Sequence, residues 1–137
     1  MIFTDYFVAV STKTTWSVAR QHCQNLNGDL ASFSSLQEQN EATSMLIDQQ
    51  LQGHFYWNGL NDVQKMKKWF WSDNSSSVWR NWLNGEPNGG TKENCVVVSI
   101  DDAQWRDVGC NDLHFSVCKV PRKCISLNDI SISLWIL

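Results

Sequence analysis

The side chains of this sequence with the most evident chemistry are oxygen donors in one Gly- and Asn-rich stretch. They are Glu86, Asn88, Glu93, Asn94 and Asp107. A set made only of oxygen donors suits calcium, a hard cation that takes six to eight oxygen ligands. Glu86 and Asn88 are two apart, so both side chains can point the same way if Pro87 bends the chain. The alternative interpretation is a solvated polar loop, because loop carboxylates are common and this spacing matches no EF-hand.

No other set of residues indicates chemistry. The three histidines, at positions 22, 54 and 114, lie in no G-x-S-x-G or H-E-x-x-H motif, and no close carboxylate pair accompanies them. We therefore predict that the protein is not an enzyme and that these histidines are structural or exposed.

Composition limits the class of protein. The chain has 137 residues, of which 42% are apolar and 18% charged, as expected for one globular domain. The net charge is −3 and no basic block is present, which excludes a phosphate-binding surface for nucleic acid. No apolar run reaches 18 residues, so we expect no membrane span.

Five cysteines predict two disulfides and one remaining thiol, since no C-x-x-C spacing indicates zinc. Disulfides imply an oxidising compartment. Asn74-Ser75-Ser76 is an N-glycosylation sequon, so Asn74 is the predicted glycosylation site. Residues 1–7 lack the features of a secretory leader. We therefore interpret the chain as a mature form or fragment of an exported protein, and expect an extracellular location.

Local patterns predict two helices followed mainly by strands, an α+β order. Trp16, Ala19 and Cys23 share one face of a helix that Gly28 should end in the left-handed conformation. Ser35 to Glu38 is a capping box that starts a second helix. The irregular stretch 79–90 is long for a compact domain and therefore predicts a functional loop. The predicted strands are 3–10, 55–60, 67–71, 95–100, one starting at 105, and 115–120.

Several ordered motifs carry a family resemblance. They are Trp16…Cys23, Gly28-Asp29-Leu30-Ala31, Trp57-Asn58-Gly59-Leu60, Trp71-Ser72-Asp73, Glu86-Pro87-Asn88, Glu93-Asn94-Cys95, Trp105-Arg106-Asp107 and Cys118. In these motifs the chain resembles the C-type lectin-like domain family over residues 3–120. The resemblance implies two helices, two small antiparallel sheets and a long ligand-binding loop. It makes residues 1–122 the domain, in its short form, and residues 123–137 a tail of unknown role.

The resemblance also implies disulfides and a binding site. The implied pairs are Cys23–Cys118 and Cys95–Cys110. Cys124 then bridges to a second copy, giving a disulfide-linked dimer, stays a free thiol, or pairs with a segment outside this sequence. In family members that bind sugars, E-P-N accompanies mannose, N-acetylglucosamine and fucose. The implied carbohydrate- and calcium-binding residues are Glu86, Asn88, Glu93 and Asp107. They would bind glycans with equatorial vicinal hydroxyls.

Two departures from the family pattern concern the metal. Arg106 stands where the family has an asparagine ligand, so calcium should bind more weakly whether Arg106 points into the site or away from it. Met66 and Asn94 replace acidic ligands of a second position, and we therefore expect at most one ion. The alternative function is a calcium-independent module that binds a protein or an anionic glycan.

Overall fold

The computed structural model describes residues 5–122. Predictions about residues 123–137 and Cys124 lie outside that range. The strands and helices in chain order are β1 (Asp5–Thr14), α1 (Trp16–Asn25), β2 (Asp29–Leu30), α2 (Leu36–Asp48), β3 (Phe55–Asn61), β4 (Phe70–Trp71), β5 (Cys95–Ser99), β6 (Trp105–Val108) and β7 (His114–Pro121). The α+β class and both helices are confirmed. The strand predicted over 67–71 is shorter and covers only Phe70–Trp71.

The strands form one sheet instead of the two separate sheets that we expected. Its order is β1-β7-β3-β5-β6, with β2 beside β7 and β4 beside β3. The pairing of β3 with β7 is parallel and joins Tyr56 to Phe115 and Trp57 to Ser116. All other pairs are antiparallel. The two parallel rungs make the sheet continuous, so the long loop and both helices share one scaffold.

Helix α1 buries Trp16, Ala19 and Cys23, as its periodicity predicts. The prediction for its C-terminal end is wrong in one respect: Asn27, with φ 65°, takes the left-handed conformation. Gly28 is needed for another reason. A Cβ on Gly28 would overlap the carbonyl oxygen of Lys119 and lie 2.9 Å from a methyl carbon of Val120. Close packing of the chain against β7 therefore selects glycine there.

Helix α2 begins as its capping box predicts, but only half of the box forms. The Ser35 hydroxyl accepts a hydrogen bond from the backbone amide of Glu38 at 3.2 Å. The Glu38 carboxylate instead accepts one from Lys119 Nζ at 3.1 Å. This ion pair ties the first turn of α2 to β7.

Two disulfides close the scaffold, and they are the pairs that the family resemblance implies. Cys23–Cys118 joins α1 to β7, and Cys95–Cys110 links the start of β5 to the turn after β6. Among residues 5–122, no helix is long and apolar enough to cross a membrane.

Trp105 on β6 organises the core beneath the long loop. It is fully buried, and its indole nitrogen donates to Gln39 Oε1 at 2.6 Å. The rings of Trp71, Trp79 and Trp82 pack edge-on against it, with centroids 5.3–5.7 Å away. Trp82 and Trp105 therefore pack in the core beneath the loop. The irregular stretch 79–90 is held by this aromatic cluster.

Candidate functional site

Asp107 fastens the long loop to β6. Its side chain is buried, with the residue only 3% exposed. Asp107 Oδ1 accepts a hydrogen bond from the backbone amide of Asn88, and Oδ2 accepts one from that of Gly89, both at 2.9 Å. Side chains alternate along a strand, so Asp107 faces the same way as buried Trp105. The buried strand thus sets the position of the Glu86-Pro87-Asn88 segment.

Glu86 and Asn88 point towards each other across Pro87. Asn88 Nδ2 donates to Glu86 Oε1 at 3.3 Å, and the Glu86–Pro87 bond is cis. The second carboxylate oxygen, Glu86 Oε2, is buried and accepts no hydrogen bond from the described part of the chain. A buried carboxylate oxygen without a donor is unfavourable unless a cation or another donor faces it.

Glu93 packs against the same loop, beside Gly89. Its side chain fills the space beside Gly89, where an added Cβ would overlap Glu93 Oε1, Cβ and Cγ. Glycine at position 89 is therefore required for this close approach. The structure thus brings together Glu86, Asn88, Glu93 and Asp107, the four residues that the sequence predicts for the site.

The acids of this cluster disfavour one another's charge. Burial, followed by contact with Asp107, raises the pKa of Glu86 to about 7, and the charge of Glu93 contributes in the same direction. Burial, together with Asp107 and Asp112, also raises the pKa of Glu93. Such a cluster gains more from a divalent cation than separate exposed acids would.

The donor chemistry of the cluster fits calcium. Its carboxylate and carboxamide oxygens are the ligand types that calcium takes, and Glu86 Oε2 has no competing partner in residues 5–122. In the same range, no group of three or more His, Cys, Asp or Glu side chains is arranged to hold a metal ion. Both oxygens of Asp107 face loop amides in this conformation. The residues that would hold calcium first are therefore Glu86, Asn88 and Glu93.

Arg106 points away from this cluster. Its Nη2 donates to Asp102 Oδ2 at 3.2 Å, and its guanidinium lies 5.1 Å from the centroid of the Phe55 ring. Burial alone would raise the pKa of Asp102, but the Gln104 amide and Arg106 outweigh it and lower that pKa. Of the two orientations that the sequence left open, the structure has the outward one. The charge of Arg106 therefore lies outside the cluster of Glu86, Asn88 and Glu93.

Of the residues that the sequence analysis assigned to a second metal position, Asp62 and Asn94 are engaged in hydrogen bonds. Asp62 is buried, and its Oδ2 accepts a hydrogen bond from the backbone amide of Lys67 at 2.9 Å. The side-chain carboxamide of Asn94 is oriented with its nitrogen facing two acceptors. This nitrogen donates to Asp62 Oδ1 at 3.1 Å and to the Gly90 carbonyl at 3.2 Å. Met66 is exposed, 52% of its surface being accessible. Neutral donors thus take the place of acidic ligands around Asp62.

Sequence reasoning missed two residues beside the site, Lys67 and Trp69. They line a cavity together with Pro87 and Asp107. The aromatic run Trp69-Phe70-Trp71 was the available signal, since neighbouring residues of an extended segment face opposite ways. Of the histidines, His54 packs against Phe115 and His114 against Trp57, which fits a structural role.

Comparison with known proteins identifies the family. A family model described as Lectin C-type domain matches residues 12–120. The chain therefore belongs to the C-type lectin domain family. Ladderlectin of Oncorhynchus mykiss is 33% identical over 108 residues, which cover 77% of this chain and 57% of that protein. This chain thus spans less than two thirds of the length of that relative.

Solved structures agree in fold. Human lithostathine superposes with a TM-score of 0.79 at 28% identity, covering 86% of this chain and 84% of that one. The C-type carbohydrate-recognition domain of cow CD23, solved in the presence of a GlcNAc2Man3 oligosaccharide, gives a TM-score of 0.72 at 32% identity. It covers 90% of this chain and 92% of its own.

The raised pKa of Glu86 predicts how stability depends on pH without calcium. Its folded pKa of about 7 lies above the ordinary 4.5, so between these values the folded state binds more protons than the unfolded state. The free energy of unfolding should therefore fall as pH rises through that window, by on the order of 1 kcal/mol after solvent screening. Urea denaturation in EDTA at several pH values measures this slope.

Glu86→Gln should flatten the slope, whereas Glu41→Gln, which changes an exposed acid on α2, should leave it as in the wild type. Equal slopes for the wild type and Glu86→Gln would contradict the assignment of this titration to Glu86.

Proposed function

We propose that this domain binds glycans of the mannose, N-acetylglucosamine and fucose type with the help of one calcium ion. The observation that carries the proposal is the hydrogen bond from Asn88 Nδ2 to Glu86 Oε1, beside a second and buried oxygen, Glu86 Oε2, that accepts no hydrogen bond from residues 5–122. The cow CD23 domain, solved in the presence of a GlcNAc2Man3 oligosaccharide, supports the same ligand class.

The role of each residue in sugar recognition follows from the hydrogen bonds that its side chain can form. The carboxylates of Glu86 and Glu93 accept hydrogen bonds from sugar hydroxyls, and the amide of Asn88 donates one. Calcium, when bound, supplies coordination positions that two neighbouring hydroxyls fill. Asp107 fixes the loop through the Asn88 and Gly89 amides and adds negative charge. Two hydroxyls held at once select for stereochemistry, because an epimer cannot place both.

The glycan specificity can be tested by exchanging the acid and the amide. In isothermal titration calorimetry, the oxidised wild-type domain should bind one calcium, and EDTA should abolish its retention on mannose resin. Glu86→Gln with Asn88→Asp reverses the acceptor and donor positions and should move preference from mannose towards galactose. The matched control is Asn40→Asp with Glu41→Gln on the exposed side of α2, which should keep the mannose preference. Mannose preference retained by the first double variant would refute the site.

A second candidate function is a calcium-independent module that binds a protein or an anionic glycan. Two observations favour it: Arg106 stands in place of an oxygen ligand, and Asp107 is engaged by two amides. The absence of any calcium heat in that titration would leave this second candidate as the function.

The family pattern predicts which substitution strengthens calcium binding, because an asparagine ligand stands there where this chain has Arg106. Arg106→Asn restores that oxygen on a side chain too short to stay with Asp102, and it should raise calcium affinity roughly tenfold, about 1.4 kcal/mol. Arg106→Ala removes the charge without adding a ligand and should leave the affinity near that of the wild type. Calcium titrations of both variants separate the two effects. An equal gain in both would mean that the charge of Arg106, and not the missing oxygen, weakens the site.

We also propose that the domain is extracellular and carries a glycan on Asn74. Two disulfides support an oxidising compartment. Asn74 is exposed on a turn, where its backbone amide donates to the Trp71 carbonyl at 3.1 Å. A sequon asparagine in that position is accessible to a glycosyltransferase.

Expression through a eukaryotic secretory pathway tests this modification. A peptide-N-glycosidase should increase the gel mobility of the wild-type protein. Ser76→Ala should abolish the shift because it removes the hydroxyl residue of the sequon, and Ser75→Ala at the unconstrained middle position should preserve it. A wild-type protein whose mobility does not change would rule out glycosylation of Asn74 in that pathway.

A further inference from the structure

A cavity of about 260 Å³ lies beside the glycosylation sequon, away from the proposed calcium site. Its walls come from α1, from the segment between β3 and β4, from β4 and from the turn after β4. The lining includes Arg20, Gln64, Phe70, Asn74 and Ser75. The volume lies just below the range of about 300–1,000 Å³ that is usual for drug-sized ligands, so the cavity suits a single sugar residue.

The turn after β4 places the sequon asparagine at the edge of this cavity. The backbone amide of Asn74 donates to the Trp71 carbonyl at 3.1 Å, which closes the turn. Asn74 takes the left-handed conformation, with φ 64°, which asparagine adopts more readily than most residues. Its side chain is exposed and lines the cavity. A sugar residue linked to Asn74 Nδ2 therefore starts at the cavity.

Phe70 supplies an apolar surface within reach of that sugar. Neighbouring residues of a strand face opposite ways, so Trp71 is buried whereas 53% of the surface of Phe70 is accessible. The pairing of Phe70 with Asn61 on β3 fixes the backbone that carries the ring. A sugar that lays its C–H groups on this ring would remove apolar area from water.

Polar groups around Phe70 match the substituents of an N-acetylglucosamine. Arg20 Nε and Nη2 donate to Asp29 and to the Ser72 carbonyl, whereas Arg20 Nη1 has no acceptor within residues 5–122. The Gln64 carboxamide is exposed. Hydroxyl and acetamido groups donate and accept hydrogen bonds, so they suit both side chains. Asp29, 3.2 Å from Arg20, balances the charge of the guanidinium, which favours a neutral ligand over an anion.

We propose that the first N-acetylglucosamine of a glycan on Asn74 packs in this cavity against Phe70 and thereby stabilises the fold of the domain. The covalent link holds the sugar at the cavity, so its effective concentration is high. Contacts that are too weak to capture a free monosaccharide are then sufficient. The proposal rests on the proposed glycosylation of Asn74, and it adds a place and a role for the first sugar.

The test compares the domain with one N-acetylglucosamine on Asn74 and without it. The wild type and Ser76→Ala are expressed in cells that make only high-mannose glycans, and endoglycosidase H then trims the wild-type glycan to its first sugar. The trimmed wild type should unfold about 3 °C above Ser76→Ala, the shift expected of one sugar–aromatic contact in a domain of this size. Thermal unfolding followed by circular dichroism measures this difference.

Variants of the cavity decide where the contact lies. Phe70→Ala and Gln64→Ala are each measured with the sugar and, combined with Ser76→Ala, without it. Phe70→Ala should reduce the difference to about 1 °C or less, and Gln64→Ala should reduce it in part, because a comparison within one variant cancels that variant's own effect on the fold. The matched controls are Met66→Ala and Gln52→Ala, which change exposed residues outside the lining and should keep the full difference.

The outcomes separate the packing of the sugar from its attachment. A wild type whose gel mobility endoglycosidase H leaves unchanged would refute the glycosylation of Asn74 and this proposal together. A glycosylated wild type that unfolds at the same temperature as Ser76→Ala would overturn the packing alone. A difference that survives in Phe70→Ala, or that falls equally in Met66→Ala, would place any stabilising contact outside the cavity and would likewise overturn the proposal.

Discussion

The candidate site depends on one buried carboxylate. Asp107 accepts backbone hydrogen bonds from both Asn88 and Gly89, and removing it would leave two loop amides without acceptors. Asp107 itself is placed by Trp105, two residues earlier on β6, whose indole is locked by Gln39 and by three other tryptophans. The irregular loop is therefore as well positioned as the sheet on which it lies. An otherwise unsupported segment could not keep Glu86 and Asn88 together.

This arrangement brings three carboxylates close together, which raises the free energy of their charged forms. Glu86 and Glu93 lie near Asp107, and burial raises the pKa of both glutamates. The disulfides, the continuous sheet and the aromatic core hold the carboxylates in place despite their repulsion. In the proposed function, carboxylates held in this way lower the free energy that a cation would spend on gathering its ligands.

Local sequence patterns correctly predicted the features that are determined by interactions between residues close in sequence. Both helices follow from periodicity and caps, and the four site residues follow from motifs whose members lie close in sequence. Asn and Gly both adopt the left-handed conformation, so the local pattern could not decide between positions 27 and 28. The contact that requires glycine at position 28 is with Lys119, which is distant in sequence. The pairing of Tyr56 with Phe115 joins distant segments and leaves no local pattern. The cavity at Trp69 was likewise invisible, because separate segments of the chain form its walls.

The alternation of β6 explains how position 106 can vary without disturbing the fold. Trp105 and Asp107 face inwards and carry the core and the loop, whereas Arg106 faces Asp102 and Phe55. Arginine at position 106 therefore leaves the inward contacts of Trp105 and Asp107 intact and places no cation among Glu86, Asn88 and Glu93. The core and the position of the long loop thus do not depend on which residue stands at 106, and the fold alone does not determine whether the proposed site binds calcium.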